Sequence, residues 1–193
     1  MSLPTPERLS ELIGSIYDCV LDREKWAPTL TSIFQEVRCS SGALTVHDGR
    51  TADLKIHVAV GMDDEWLAQA ANYAAPMLDL WGGQERIAQF ALEEPVLQSD
   101  ATPRSTWPAN PWYRSFAISR KQLDCIAIGI TRDARTFAAV AFGVNEDCGE
   151  VQDSTVTALR LIAPHLRRAI VIGRVLEDET SAATTSQPTA ERV

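Results

Sequence analysis

Nowhere in this chain do apolar residues run on for the roughly 18 positions that a membrane-spanning helix needs, so no transmembrane helix and no membrane partner are expected. Positive charge is in deficit. Lys and Arg number 18 against 26 Asp and Glu, a formal net charge of −8 at pH 7. Such a chain does not attract nucleic acid or anionic lipid through non-specific electrostatics. Cysteine is sparse: Cys19, Cys39, Cys125 and Cys148 form no CxxC pair, match no zinc spacing and imply no disulfide framework. His47 and His57 flank a hairpin about residue 50 that puts them roughly 10 Å apart, too far to share an ion, so no metal site is expected. The phosphate-binding glycine loop, HExxH and GxSxG are all missing. Asp63-Asp64 and Glu93-Glu94 read as helix-start or solvated charges rather than a catalytic pair. The opening MSLPTPERLSELIG lacks the basic start and apolar middle of a signal peptide. The expectation is a cytoplasmic protein, not an enzyme, with no cofactor.

What is present is organised around Gly149 to Asp178. Leu159, Ile162, Leu166, Ala169, Gly173 and Leu176 recur at alternating spacings of three and four, one stripe of a long helix. Arg160, Arg167 and Arg174 fall on another side. Pro164 costs roughly 3 kcal/mol in a helix interior, which is met either by a kink or by two helices meeting at Ala163. Gly173 points to close approach of another helix.

The chain of 193 residues is long enough for one domain with a substantial core. Thr5-Pro6-Glu7 is a helix start: a capping hydroxyl, proline at the first helical position and an acid in the first turn. Leu9, Leu12, Ile13, Ile16 and Val20 follow as the apolar face of a helix over 6–21. A second helix opens at Pro28, with Trp26 packed in the join. Residues 42–48 and 53–60 form a hairpin. Helix signals return at Asp63 and continue through Trp66, Ala70, Tyr73 and Met77. Prolines break up the stretch from Leu80 to Ser119, which holds a short strand at Pro95–Leu97 and a short helix at 111–116. Two strands follow, 123–131 and 136–144, apolar on both faces and therefore expected to be covered above and below. The long helix comes next. Residues 179–193, rich in Thr, Ser and Ala, read as a flexible linker or tail after a domain spanning 1–178.

The residues Leu12-Ile13-Gly14-Ser15-Ile16-Tyr17-Asp18, then Leu21-Asp22 and Trp26, and above all the Ala163-Pro164-His165-Leu166-Arg167-Arg168-Ala169 segment, resemble the N-terminal sensor region of LuxR-type helix-turn-helix regulators over about residues 5–178. The resemblance implies an α+β, GAF/PAS-like antiparallel sheet of five or so strands, the first and last side by side in the centre, with helices on both faces and a long C-terminal helix. It also implies a ligand- or signal-sensing role, with DNA bound through a helix-turn-helix domain that residues 1–193 do not contain.

The aromatic residues crowd into one stretch. Trp66, Tyr73, Trp81, Trp107, Trp112, Tyr113 and Phe116 either form a second core layer or wall a cavity for a small, partly apolar ligand; the resemblance favours the cavity. Arg104 or Arg114 beside them is a candidate anchor for an anion. A homodimer is expected through the first and last helices, at Leu9, Leu12, Ile16, Leu166, Ala169, Gly173 and Leu176. A small enzyme using the same pocket, or a dimerisation module without ligand, are the alternatives.

Overall fold

A computed structural model describes residues 3–48, 54–132 and 136–185. The two hairpin connections, at 49–53 and 133–135, and residues 186–193 lie outside them.

Helix α1 (Pro6–Leu21) starts as its sequence dictates: the Thr5 side chain accepts from the Arg8 N–H at 3.2 Å, with Pro6 next. A short 3₁₀ turn, Arg23–Lys25, leads into α2 (Trp26–Glu36). This helix opens ahead of Pro28, which its first turn tolerates. Trp26 is buried in the join. Strands β1 (Ser41–Asp48) and β2 (Leu54–Val60) form the first hairpin, and β4 (Gln122–Arg132) and β5 (Thr136–Asn145) the second. Between them runs a long excursion of short helices, α3 (Asp64–Ala70), α4 (Ala74–Asp79), α5 (Gly83–Ile87) and α6 (Gln98–Ala101), with the short strand β3 (Pro95–Leu97). The 3₁₀ segments Ala71–Tyr73 and Arg104–Ala109 and a π-helical turn, Tyr113–Ala117, complete it. The sheet is antiparallel throughout, in the order β2-β1-β5-β4-β3, so the first and last strands are central neighbours.

One face of this sheet carries the main core. Ile126, Ile128 and Ile130 of β4 and Val140, Phe142 and Val144 of β5 meet Leu12 and Ile16 of α1, Leu30 and Ile33 of α2, and the last helix, α7 (Asp153–Thr185). Helix α7 contributes Leu159, Ile162, Ala163, Leu166 and Ala169. It is one continuous helix through Pro164, and it runs to Thr185, into the stretch read as a tail. The Thr-Ser-Ala composition there holds no proline before Pro188 and does not oppose a helix. Polar ties fix α7 on its neighbours: Thr155 Oγ1 donates to the Val37 carbonyl at 3.1 Å, and Arg167 Nε to the Ile130 carbonyl at 2.9 Å. Arg160 and Arg167 pair with Glu94 and Glu93, so the arginine repeat holds the loop before β3.

The residues expected at a dimer interface take different places. Leu12, Ile16, Leu166 and Ala169 are buried in the chain's own core, and Leu9 packs half-buried against it. The α1 and α7 stripes are satisfied by each other and by the sheet, which is the intramolecular solution. At Gly173 an added Cβ would meet nothing within 4 Å, so no close helix approach within the chain explains that glycine. Leu176 is exposed, as are Leu161, Ile172 and Val175.

Candidate functional site

The other face of the sheet is not packed, and the reason lies in side-chain size. Reading across β1, β5 and β4, the rows are Ser41, Gly143 and Cys125, then Ala43, Ala141 and Ala127, then Thr45, Ala139 and Gly129. No side chain in these rows is larger than that of threonine. Successive rows are two residues apart, so the floor runs about 20 Å from the first row to the row of His47 and Phe137, and about 10 Å across three strands. At Gly143 a Cβ would sit 2.5 Å from Ser41 Oγ, so a larger residue there would turn the serine hydroxyl aside. Both faces are covered as expected, one by α1, α2 and α7 and the other by the excursion, but they are filled differently. Large residues alternate with small ones along β4 and β5, so one face is filled and the other leaves room.

That room is a cavity of about 410 Å3 between the small-residue floor and the excursion. Its roof comes from Trp66 of α3, Met77 of α4, Trp81, Phe90 and Trp112. Of the seven aromatic residues singled out from the sequence, Trp66, Trp81 and Trp112 line this cavity. Tyr73, Trp107, Tyr113 and Phe116 do not. They stand behind it in a small core of their own with Leu80 and Trp112, so both arrangements open to the aromatic cluster are realised in one structure. Trp112 belongs to both. It stacks on Phe116 at 4.7 Å and meets Trp66 edge-on at 5.2 Å.

This second core lets the tryptophan roof hold its shape without packing on the middle of the floor. The Trp107 indole N–H donates to Thr102 Oγ1 at 2.9 Å, which donates to the Leu80 carbonyl at 2.6 Å. Asn110 reaches back to the Pro76 carbonyl at 2.7 Å. At the margins the roof is tied to the sheet. The Asp124 carboxylate, fully buried on β4, accepts from the Ser99 and Cys125 N–H groups and from Arg104, which also reaches Glu150. Leu92 bridges to Gly129, and Arg132 donates to the Ile87 and Phe90 carbonyls at 2.9 and 3.0 Å.

The polar groups of the cavity sit at its ends. His47 is only 9% exposed and stacks on Phe137. Its Nδ1 is buried and has no hydrogen-bond partner among the described residues, while Nε2 lies 3.5 Å from Thr45 Oγ1. Burial lowers the imidazole pKa to about 4, so the ring is neutral near pH 7. Near the first row, Arg120 pairs with Asp63 and lies over the Phe116 ring at 5.5 Å. Asp63 caps α3 by accepting from the Trp66 N–H at 2.7 Å, and that hydrogen bond, with Arg120, holds its carboxyl below the usual range. Arg104 is spent on Asp124 and Arg114 is exposed, and neither lines the cavity. His57 lines a separate groove beside α7, away from His47. No group of three or more His, Cys, Asp or Glu able to hold a metal occurs among the described residues. Sequence reasoning weighed His47 only as a metal ligand, and missed Arg120 and the floor itself. The signal for the floor was present in the size alternation of 125–130 and 139–144.

No protein-family model matches the chain, and a search of curated protein sequences finds no match. Solved structures do match. The VqsR LBD domain from Pseudomonas aeruginosa superposes with a TM-score of 0.67 at 10% identity, over 86% of this chain and 96% of that one. The GAF domain of a phosphoenolpyruvate-protein phosphotransferase from Coxiella burnetii gives 0.57 at 14% identity, over 91% and 99%. The chain has a GAF-like fold. The same GAF-like fold is shared by CepR2 from Burkholderia cenocepacia, an N-acylhomoserine lactone dependent LuxR family transcription factor, with a TM-score of 0.58 at 14% identity, over 84% and 93%. It also extends to a free methionine-R-sulfoxide reductase from Neisseria meningitidis in complex with its substrate, at 0.51 and 13% identity, over 91% and 97%. No described helix is long and apolar enough to cross a membrane.

Proposed function

We propose that this chain is the ligand-sensing regulatory domain of a LuxR-type transcription regulator. It binds a small, partly apolar molecule between the sheet and the tryptophan roof and passes the signal through helices of a homodimer. The observation that carries this reading is the cavity of about 410 Å3, floored by alanine and glycine and roofed by Trp66, Trp81 and Trp112. A volume in the range of known small-molecule sites, mostly apolar walls and a few polar groups at the ends are what such a site requires. The likeness to a LuxR-family ligand-binding domain and to a lactone-dependent regulator supports the sensory role. The regulator works in the cytoplasm, and DNA is bound by a helix-turn-helix domain outside residues 1–193, not by this acidic chain alone.

The rival reading is an enzyme using the same cavity. The reductase neighbour and the position of Cys125 on the floor favour it. Against it, burial pushes the Cys125 thiol up to about 12, which leaves it protonated and a poor nucleophile. The cavity's carboxylate, Asp63, is committed to Arg120 and to capping α3. The test is a tryptophan-fluorescence screen of small aromatic and lipid-like metabolites. At least one compound is expected to give a saturable change that Ala141→Leu, in the centre of the floor, abolishes. Absence of any such compound, or hits indifferent to Ala141→Leu, defeats the proposal; turnover of a hit favours the enzyme.

A further inference from the structure

We propose that the cavity selects an uncharged, planar aromatic compound that lies flat on the sheet with a hydrogen-bonding substituent turned to His47. This deepens the ligand-sensing reading and rests on it.

Planarity follows from the two walls. Across β1, β5 and β4 the floor has no ridge: its three rows are built from residues no larger than threonine, with alanine at all three middle positions and Val96 of β3 beyond them. The isoleucines of β4 point to the other face, and Leu92 and Val96 meet the cavity only along its β3 margin. The roof offers the indoles of Trp66, Trp81 and Trp112. A flat ring gains contact with both walls and adds aromatic interactions that an alkyl chain cannot make.

Neutrality follows from the charges already present. Arg120 and Asp63 face the cavity as a pair, and Asp63 is held a second time by the Trp66 N–H. A carboxylate ligand would have to displace Asp63 from Arg120, and an ammonium ligand would have to displace Arg120 from Asp63. The pair stands at the exposed margin of the cavity, its side chains 31% and 56% exposed, so what disfavours a charged ligand is the desolvation of its own charge against apolar walls where Arg120 and Asp63 already satisfy each other. Arg132 is engaged by the Ile87 and Phe90 carbonyls.

The orientation follows from His47. Its ring is nine-tenths buried, lines the cavity and leaves Nδ1 unpartnered among the described residues. A neutral imidazole carries one donor and one acceptor nitrogen. Thr45 Oγ1, 3.5 Å from Nε2, is at the outer limit of engaging the other. A polar group on the ligand edge completes this set. Nδ1 is itself buried, so the imidazole turns about its Cβ–Cγ bond to present it to the ligand and gives up the long contact to Thr45.

The experiment measures binding of three probes to the whole chain by calorimetry: 2-naphthamide, which is planar and neutral; 2-naphthoate, its ionised isostere; and decanamide, neutral but flexible. The naphthamide is expected to bind at millimolar concentration or below, the naphthoate about 100-fold more weakly, and decanamide more weakly than the naphthamide. His47→Phe, which keeps the stack on Phe137, is expected to weaken the naphthamide about tenfold, and His47→Gln to restore much of the loss. Naphthoate binding as well as naphthamide overturns neutrality, and decanamide binding as well overturns planarity. Indifference to His47→Phe overturns the orientation. Binding by none of the three tells against the ligand-sensing reading itself and takes this inference with it.

Discussion

His47 and Phe137 stand opposite each other on β1 and β5 with their ring centroids 4.6 Å apart and their planes 2° from parallel. The pair closes the row that ends the cavity floor. A protonated imidazole there would be a cation nine-tenths removed from water, and it is this burial that lowers its pKa. The stack is therefore an element of the cavity wall only while the histidine is neutral.

This makes stability depend on pH. The folded pKa, about 4, is below the ordinary histidine value of 6.5, so the unfolded chain binds the proton more tightly. The contribution of a neutral His47 is complete above pH 6.5, is lost as the pH falls from 6.5 towards about 4, and changes no further below that. The full loss is at most about 3 kcal/mol. His47→Phe keeps the stack and removes the titration. In urea unfolding, the wild type is expected to lose stability relative to His47→Phe across that interval; parallel pH curves for the two would refute the assignment.

Neighbouring positions on β4 should respond in opposite directions. Ile128 is fully buried in the helix-covered face, and Ile128→Ala is expected to cost about 2–5 kcal/mol. Ala127 points into the cavity, where Ala127→Leu buries new apolar surface and is expected to stabilise by about 1 kcal/mol while blocking ligands. Denaturant midpoints check both. If Ala127→Leu were as damaging as Ile128→Ala, the space above the floor would not exist.

These two residues also show what was legible in the sequence. Thr5 with Pro6 marked the start of α1, the turn-bounded apolar runs marked both hairpins, and the spacing of Leu159, Ile162 and Leu166 marked α7. Burial periodicity is a local property, and each of these elements follows from it. The cavity was less visible because hydrophobicity counts alanine and isoleucine alike. Weighed by volume instead, Ile126-Ala127-Ile128-Gly129 alternates as sharply as a strand with one polar face. The roof was harder still. Which of Trp66, Tyr73, Trp81 and Trp107 faces the sheet depends on how the short helices of the excursion are turned against one another, as at Gly82 and Gly83, with φ values of 82° and 79°, where α5 begins. Leu12, Ile16, Leu166 and Ala169 turned out to serve the chain's own core for a related reason: a helical stripe shows that a face is buried but not what buries it.

Two ion pairs should differ in weight. Arg104 meets a carboxylate, Asp124, with no exposure, whereas Arg160 and Glu94 are both about half exposed. Arg104→Ala leaves a buried charge with only two peptide N–H donors and is expected to cost about 2–3 kcal/mol. Arg160→Ala should cost less than about 1 kcal/mol. Because Asp124 joins the roof to β4, Arg104→Ala should also speed amide exchange from Ser99 to Trp107, an effect Arg160→Ala should not share. Equal losses from the two would show that the Asp124 tie does not carry the roof.

The final prediction concerns the outer side of α7. With 33 residues, this helix is about 50 Å long, and its last fully packed side chains are Ala169 and Ile170. Beyond them Ile172, Val175 and Leu176 are 44%, 51% and 41% exposed. At 3.6 residues per turn these three share one side of the helix with Leu161 and His165. His165 meets Tyr17 of α1, its Nδ1 3.2 Å from the phenol oxygen, so the stripe runs beside α1 as well. A second copy packed against this stripe would bury apolar side chains worth roughly 1.5–3 kcal/mol each when complete, against the cost of association. It would also connect the cavity to an output, because α7 rests on the reverse of the strands that form the floor. Light scattering at micromolar concentration is expected to show a dimer, with a melting temperature that rises with concentration. Ile172→Asp with Val175→Asp should give a folded monomer, because neither residue is part of the protomer's core. Leu166→Asp, by contrast, should unfold the chain, since Leu166 has no exposure and a carboxylate there has no partner. A wild-type monomer, or a dimer that survives Ile172→Asp with Val175→Asp, would remove α7's outer stripe from the signalling route.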